Sequence, residues 1–254
     1  PHRLPITIRG YHLPPETFTS FSTTTMTIYP TLSTLGPDDV YVITTIDGSP
    51  TLYSRSFDAT YHSINGAVSE SRHVFIQHGL STQQGYRQIK ILEFGVGTGL
   101  NAFLAFLFSK KKGVEIQYSG IELFPIDLSV AKQLQYADYL AASEESETFL
   151  RLHTEPAFTQ DQFSFQRLSG FNQLGLEDKF HCVFFDAFSP GEHAEAWSQD
   201  VFDIIGSKMD EGACLVTYCA RGEVRRTIEK AGFKVNRIAG APGKREMIQA
   251  FRLP

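Results

Sequence analysis

From residue 89 onward the chain alternates between short apolar runs and longer stretches in which apolar residues recur every three or four positions. The short runs, bounded by Gly, Asp, Ser or Pro, read as strands, and the stretches with a 3.6-residue period read as helices. Strands are expected at Ile89–Phe94, Glu115–Ile121, Phe163–Leu168, His181–Phe185, Ala213–Tyr218, Phe233–Ile238 and Glu246–Arg252, with helices at Asn101–Ser109, Asp127–Tyr139, Gln199–Lys208 and Gly222–Ala231. Such alternation builds a mostly parallel sheet covered by helices on both faces, with ligands at the carboxyl ends of the strands where their order reverses. The fold class is therefore α/β and Rossmann-like, a seven-stranded, mostly parallel sheet closed by a C-terminal pair of strands. Ahead of it, Tyr41–Thr45 and Thr51–Ser54 flank Asp47-Gly48, a hairpin signal, so a small β extension is expected over residues 36–88 before the main domain at 89–254. Residues 1–35 are rich in Pro, Thr and Ser without a period; they read as an arm, native or a non-native leader ahead of a start at Met26, with no function assigned.

Composition narrows the class. With 254 residues and 42% hydrophobic content the chain can bury one sizeable core, and no apolar run approaches the roughly 18 residues of a membrane span. No secretion signal is evident, and Cys182, Cys214 and Cys219 sit in or beside strand-like segments without a C-x-x-C pair, which reads as reduced core cysteines of a cytoplasmic protein. The eight histidines show no ligand spacing, so no metal is expected. The net charge of −5 hides an asymmetry: from Arg221 on there are nine Lys/Arg against three Glu, a charge of +6, while the remainder carries −11. Clustered cations suit a polyanion such as RNA, and equally suit the solvated face of an amphipathic helix.

The densest chemistry lies in Ile91-Leu-Glu-Phe-Gly-Val-Gly-Thr-Gly-Leu-Asn101. Gly95, Gly97 and Gly99 allow a tight strand-to-helix turn that brings backbone close to a ligand, although the same run also suits a tight turn packed on its own sheet. The spacing departs from the dinucleotide fingerprint, and Glu93 precedes the loop as in S-adenosyl-L-methionine (SAM) methyltransferases. Glu122 ends the next strand, placed to accept hydrogen bonds from both ribose hydroxyls of an adenosine cofactor. Asp186, in Phe185-Asp-Ala-Phe-Ser-Pro190, emerges at the end of the fourth strand; it can orient an amine and stabilise the charge that grows on its nitrogen, while Phe188 offers a face for a base. With an ordinary carboxylate pKa of about 4, Asp186 is expected to act by positioning more than as a general base. The alternative for this segment is an Asp that caps the following turn, with Phe188 in the core.

Five segments together resemble the methyltransferase domain of the MnmC family: Gly66–Ile76, Glu93–Asn101, Ile121–Pro125, Asp186–Pro190 with Trp197-Ser198, and Val224-Arg225-Arg226 through Ala231-Gly232-Phe233 to Gly243-Lys-Arg-Glu-Met247. The resemblance spans roughly residues 40–254, and the Lys-Arg-Glu-Met ending is its most specific part. It implies SAM as cofactor, with Glu93, Gly95, Gly97, Gly99, Asn101, Glu122 and Asp186 around it and Asp186 as the catalytic residue beside Phe188. It implies methylation of the 5-aminomethyl group of the wobble (2-thio)uridine in tRNA. The final strand ends close to the last residue, so a stand-alone form is expected, without the FAD-dependent oxidase domain and supplied by a separate enzyme. Arg72, Arg225, Arg226, Lys244 and Arg245 are then candidates to hold the backbone of the anticodon stem-loop; Arg72 suits equally a clamp on the cofactor carboxylate or an ion pair with Glu70. Trp197 suits a base pocket or packing on the sheet. The pattern departs at Leu168-Ser-Gly-Phe171, which lacks the Gly-Asp pair expected near the adenine, and at Arg221, where a small apolar residue is usual. Alternatives are a methyl or aminopropyl transferase for a small amine, and a non-catalytic RNA-binding accessory protein.

Overall fold

A computed structural model describes residues 38–254 apart from residues 84 and 176, so the arm at 1–35 lies outside the described residues. The hairpin forms: β1 (Val40–Thr44) pairs antiparallel with β2 (Pro50–Ser54), and a two-residue β3 (Ala59–Thr60) completes a three-stranded sheet. A short helix α1 (Ala67–Ser71) follows and runs into a π-helical turn at Arg72–Gln77.

The main sheet has eight strands where seven are expected from sequence. They are β4 (Gln88–Phe94), β5 (Glu115–Ile121), β6 (Ala157–Gln160), β7 (Phe163–Leu168), β8 (Phe180–Phe185), β9 (Met209–Thr217), β10 (Phe233–Ala239) and β11 (Glu246–Arg252), in the order β10-β11-β9-β8-β4-β5-β7-β6. The extra strand, β6, is an antiparallel edge that turns directly into β7. With only four residues and one buried aromatic, Phe158, it carries too little period to be read from sequence. The strands β5, β4, β8 and β9 are parallel neighbours, while β9, β11 and β10 pair antiparallel. Strand order reverses around β4, whose two neighbours are β5 and β8, and this opens a crevice at their carboxyl ends.

The helices in the main fold are α2 (Leu100–Lys112), α3 (Leu128–Leu134), α4 (Tyr136–Tyr139), α5 (Ser146–Thr154), α6 (Gln199–Ser207) and α7 (Gly222–Lys230). The stretch 127–139 is two helices, because Gln135 adopts a left-handed conformation (φ 47°) and ends the first. Asp127 caps that first helix by accepting from the Ser129 N–H at 2.7 Å. Helix α2 ends at Gly113 (φ 64°), with Lys110–Lys112 in its last turn, where cations favour the negative end of the helix dipole.

Two apolar clusters flank the sheet. One joins Phe103 and Phe106 of α2, Phe149 of α5, and Tyr118, Phe163 and Phe184 of the strands; it also takes in Val40, Leu52 and Phe57 of the extension. The other packs Val201, Phe202 and Ile205 of α6 and Val224 and Ile228 of α7 against Leu92, Val183, Phe185 and Leu215. The β extension thus shares its core with the main fold. Each fully buried Phe or Leu contributes about 1.5–3 kcal/mol relative to exposure, so the extension is held firmly.

Candidate active site

Hydrogen bonds between strand ends fix the site. The Gly95 N–H donates to the Ile121 carbonyl, the Asp186 N–H to the Phe94 carbonyl and the Glu122 N–H to the Leu168 carbonyl, each at 2.9 Å. The ends of β4, β5, β7 and β8 therefore lie level, and a cleft of about 610 Å³, part of it open to solvent, sits over them. Gly95 (φ 89°) passes so close to the next strand that a Cβ on it would lie 2.5 Å from the Asp186 carbonyl oxygen. Gly97 (φ 52°) donates its N–H to Glu122 Oε2 at 2.6 Å. Glu122 Oε1 accepts the Phe124 N–H at 2.7 Å, so the acid is pinned across the glycine turn. Burial raises the Glu122 pKa, against the opposing pull of these two backbone N–H groups.

Behind the turn lies a buried polar chain. Asn101, 2% exposed, donates through Nδ2 to Glu93 Oε1 at 2.9 Å and to Asp186 Oδ2 at 2.8 Å. One amide thus joins the acid before the glycine loop to the acid after β8. Burial pushes Glu93 up to about 8, with the Asp186 charge adding to it and Asn101 opposing. Asp186 is pushed up to about 8 as well, by burial first and by Glu70 second, against Asn101 and Lys244. Burial and Glu70 thus lift Asp186 above the ordinary carboxylate pKa read from sequence.

These residues fit SAM. Gly95 and Gly97 line the cleft with backbone alone, a Cβ on Gly97 would lie 2.9 Å from the Tyr61 ring that also lines it, and Glu122 lines it at the end of β5. Gly99 starts α2 and packs toward His153, away from the lining of the cleft.

Sequence reasoning missed the roof of the cleft. Tyr61 of the extension lines it and meets Phe188 edge-on at 5.0 Å, and Phe57 backs this wall by stacking on Phe188 (4.3 Å between centroids, 17° between planes). Phe124 meets Phe57 edge-on at 5.2 Å. His62, His193 and Phe124 also line the cleft. His62 is buried, which lowers its pKa to about 4, and its Nδ1 lies 2.7 Å from Thr51 Oγ1. No local signal marks these residues, because the contact joins segments some 130 positions apart.

The remaining expected residues fall in several places. Trp197 packs edge-on against Phe185 at 4.8 Å and donates Nε1–H to the Phe188 carbonyl at 2.8 Å, so it supports the Asp186 loop from beneath instead of forming a base pocket. Arg225 pairs with Glu229 at 2.6 Å along α7. Arg72, Arg226 and Arg245 are exposed and form no ion pair among the described residues. The alternative ion pair between Arg72 and Glu70 is not made, since Glu70 pairs with Lys244 at 2.5 Å. Lys244, its side chain 30% exposed, is therefore engaged in a pair within the protein. Arg221 is exposed and lies 3.8 Å from Glu223. All three cysteines are buried and free.

Fold, glycine cradle and strand-end acids define a SAM-dependent methyltransferase, and residues 142–252 match the family model described as S-adenosyl-L-methionine-dependent methyltransferase. Within that class the chain is similar to the methyltransferase part of MnmC proteins. It is 30% identical over 238 residues to the tRNA 5-methylaminomethyl-2-thiouridine biosynthesis bifunctional protein MnmC of Cupriavidus metallidurans, covering 82% of this chain and 33% of that protein. To the same-named protein of Idiomarina loihiensis it is 29% identical over 219 residues, covering 77% of this chain and 36% of that protein. The crystal structure of MNMC2 from Aquifex aeolicus superposes with a TM-score of 0.66 at 26% identity, covering 86% of this chain and 73% of that one. The chain thus spans about a third of the length of the curated relatives it matches. Among the described residues no helix is long and apolar enough to cross a membrane.

Proposed function

We propose that this protein transfers a methyl group from SAM to the amine of a 5-aminomethyl-(2-thio)uridine at the wobble position of tRNA, giving the 5-methylaminomethyl nucleoside. The observation that carries the reading is Asp186: a carboxylate at the end of β8, lining the cofactor cleft and joined through Asn101 to Glu93. Burial and Glu70 raise its pKa to about 8, which narrows the gap to the roughly 10.4 of a free alkylammonium. Bound in the cradle, SAM supplies an electrophilic methyl group. Asp186 accepts a proton from the substrate ammonium at Oδ1, the oxygen that Asn101 does not engage, and so frees the nitrogen lone pair. The carboxyl, neutral once it holds that proton, then orients the amine by a hydrogen bond; the new N–C bond would form as the sulfur–methyl bond breaks, and the proton leaves to solvent. Asn101 fixes the carboxylate through Oδ2, and Trp197 and Tyr218 fix its loop through the carbonyls of Phe188 and Ala187.

The cofactor is held by the 95–99 turn and by Glu122. Phe188, with Phe57 and Tyr61 around it, offers the aromatic surface for the uracil ring, which enters as these rings separate. Arg72, Arg226 and Arg245 are the RNA-backbone contacts in this reading, with Arg225 beside them. The His73 imidazole, next to Arg72, lies 2.9 Å from the carbonyl of Ala239, the last residue of β10, and so ties that segment to the β10–β11 hairpin. The amine is the product of a preceding reaction on the same uridine, carried out by another active site. A cytoplasmic location goes with a tRNA substrate.

The test is to incubate the purified protein with SAM and tRNA bearing the 5-aminomethyl group, digest the RNA, and analyse nucleosides by mass spectrometry. One added methyl on that nucleoside is expected. No conversion by protein shown to bind SAM overturns the reading.

A further inference from the structure

Lys244 and Arg245 are adjacent in sequence and similar in chemistry, yet their surroundings differ. Arg245 is exposed on the β10–β11 turn. Lys244 points inward: its ammonium lies 2.5 Å from Glu70 Oε1 and 3.9 Å from the centroid of the Tyr218 ring. Glu70 is only 5% exposed, and its second oxygen accepts the Ser63 N–H at 2.7 Å. Tyr218 donates its hydroxyl to the Ala187 carbonyl at 2.8 Å, one residue after Asp186. A single ammonium thus ties together the extension (through Glu70), the segment after β9 (through Tyr218) and the loop that carries the acid of the cleft.

The titratable groups that face Asp186 are Glu70 from α1, Glu93 from β4, the neutral phenols Tyr118 from β5 and Tyr218 beyond β9, and Lys244 from the β10–β11 turn. Lys244 is the cation of that set. An ammonium bound to an acid and to an aromatic face gives up much of its hydration, and it is costly to withdraw it toward a phosphate.

We propose that Lys244 is a positioning residue for methyl transfer: its ammonium, paired with Glu70 and seated on Tyr218, sets the charge around Asp186 and holds the 186–188 loop in place, and does not contact RNA. The assignment rests on the amine-methylation reading above for its kinetic test, and on the protein alone for its titration test.

Removing Lys244 by itself leaves Glu70 buried without its partner, so the informative comparison is made in a Glu70→Gln background. Glu70→Gln removes the anion that opposes ionisation of Asp186. The acid limb of single-turnover methylation is expected to move down by about one pH unit, the size of effect a neighbouring charge has on a carboxylate. Adding Lys244→Met, which keeps an apolar stem on Tyr218, should move the limb back up, whereas adding Lys244→Arg should leave it where Glu70→Gln placed it. The salt dependence of tRNA binding should be the same in all of these proteins. A limb that does not respond to Lys244→Met, or a salt slope reduced by about one, overturns the proposal. The titration of the Asp186 carboxyl followed by carbon-13 NMR without tRNA, assigned by its loss in Asp186→Asn, should show the same order of midpoints. Should the wild-type protein fail to methylate tRNA, that titration still decides the role of Lys244; should the wild type methylate and neither midpoint nor limb move, Lys244 fails while the function stands.

Discussion

Two regions meet at Asp186, and they are built in different ways. The β4–α2 turn is local: seven residues, Glu93 to Gly99, run from strand to helix and carry their own geometry in three glycines with positive φ. The opposite wall is a seam between distant segments, where Phe57, Tyr61 and Glu70 of the extension meet Phe188, Tyr218 and Lys244. The local wall presents backbone, which suits a cofactor whose shape does not vary. The seam presents aromatic rings and a paired ammonium, which suits selection of the methyl acceptor. On the proposed function, cofactor binding belongs to the first region and turnover to the second, with Asp186 and Asn101 between them.

Substitution at the junction has the largest expected effect. Asp186→Ala should lower single-turnover methylation by roughly 10²- to 10⁴-fold, the usual worth of a proton-accepting group, while SAM affinity by calorimetry stays within a few-fold. Turnover within tenfold of wild type would place the chemistry elsewhere along the seam. Next comes Phe57→Ala, which unstacks Phe188 and empties a site that is 8% exposed. Denaturant unfolding should show a loss of about 3 kcal/mol, the lower end for a buried Phe truncation. If the loss is below about 1 kcal/mol, the extension is a loosely held flap and not a fixed wall.

Gly97→Ala sharpens the other side. An alanine there keeps φ near 52° at a cost of about 1 kcal/mol, and its Cβ would sit 2.9 Å from Tyr61 Cδ1. SAM affinity should drop by about tenfold, and turnover at saturating SAM should change far less. A fall in saturated turnover without a fall in affinity would merge the two regions into one.

The same contrast explains what the sequence discloses. Glu93, the three glycines, Asn101 and Glu122 are legible because each sits at a strand end or helix start that periodicity already locates. Asp186 is legible for the same reason. Its pKa is not, because burial and the approach of Glu70 depend on how residues 116 positions apart come together. Phe57 and Tyr61 lie in an extension whose hairpin is readable and whose destination is not. Helix α5 escapes detection because Phe149 and Leu152 are the buried apolar residues of a nine-residue stretch otherwise rich in polar ones. The break at Gln135 has no residue signal at all, since glutamine has no preference for the left-handed region. Lys244 differs from Arg245 in a way the basic run does not show: it pairs with Glu70, while Arg245 is exposed.

The smallest expected effect separates the basic residues from one another. Arg226 and Arg245 are exposed without ion-pair partners among the described residues, so pairing either with a phosphate breaks no bond within the protein, whereas Arg225 must leave Glu229 and Lys244 must leave Glu70. Release of counterions then predicts that Arg226→Ala and Arg245→Ala each lower the slope of log K against log salt by about one for each lost contact with duplex RNA, with additive effects in the double variant. Arg225→Ala should lower it by less, because breaking the i,i+4 pair offsets part of the gain, and the variants at Lys244 should not lower it at all. Filter binding of tRNA between low and physiological salt reads these slopes directly. Equal slopes for Arg245→Ala and wild type would remove the β10–β11 turn from the RNA surface, leaving the basic C-terminal segment to act through α7 alone.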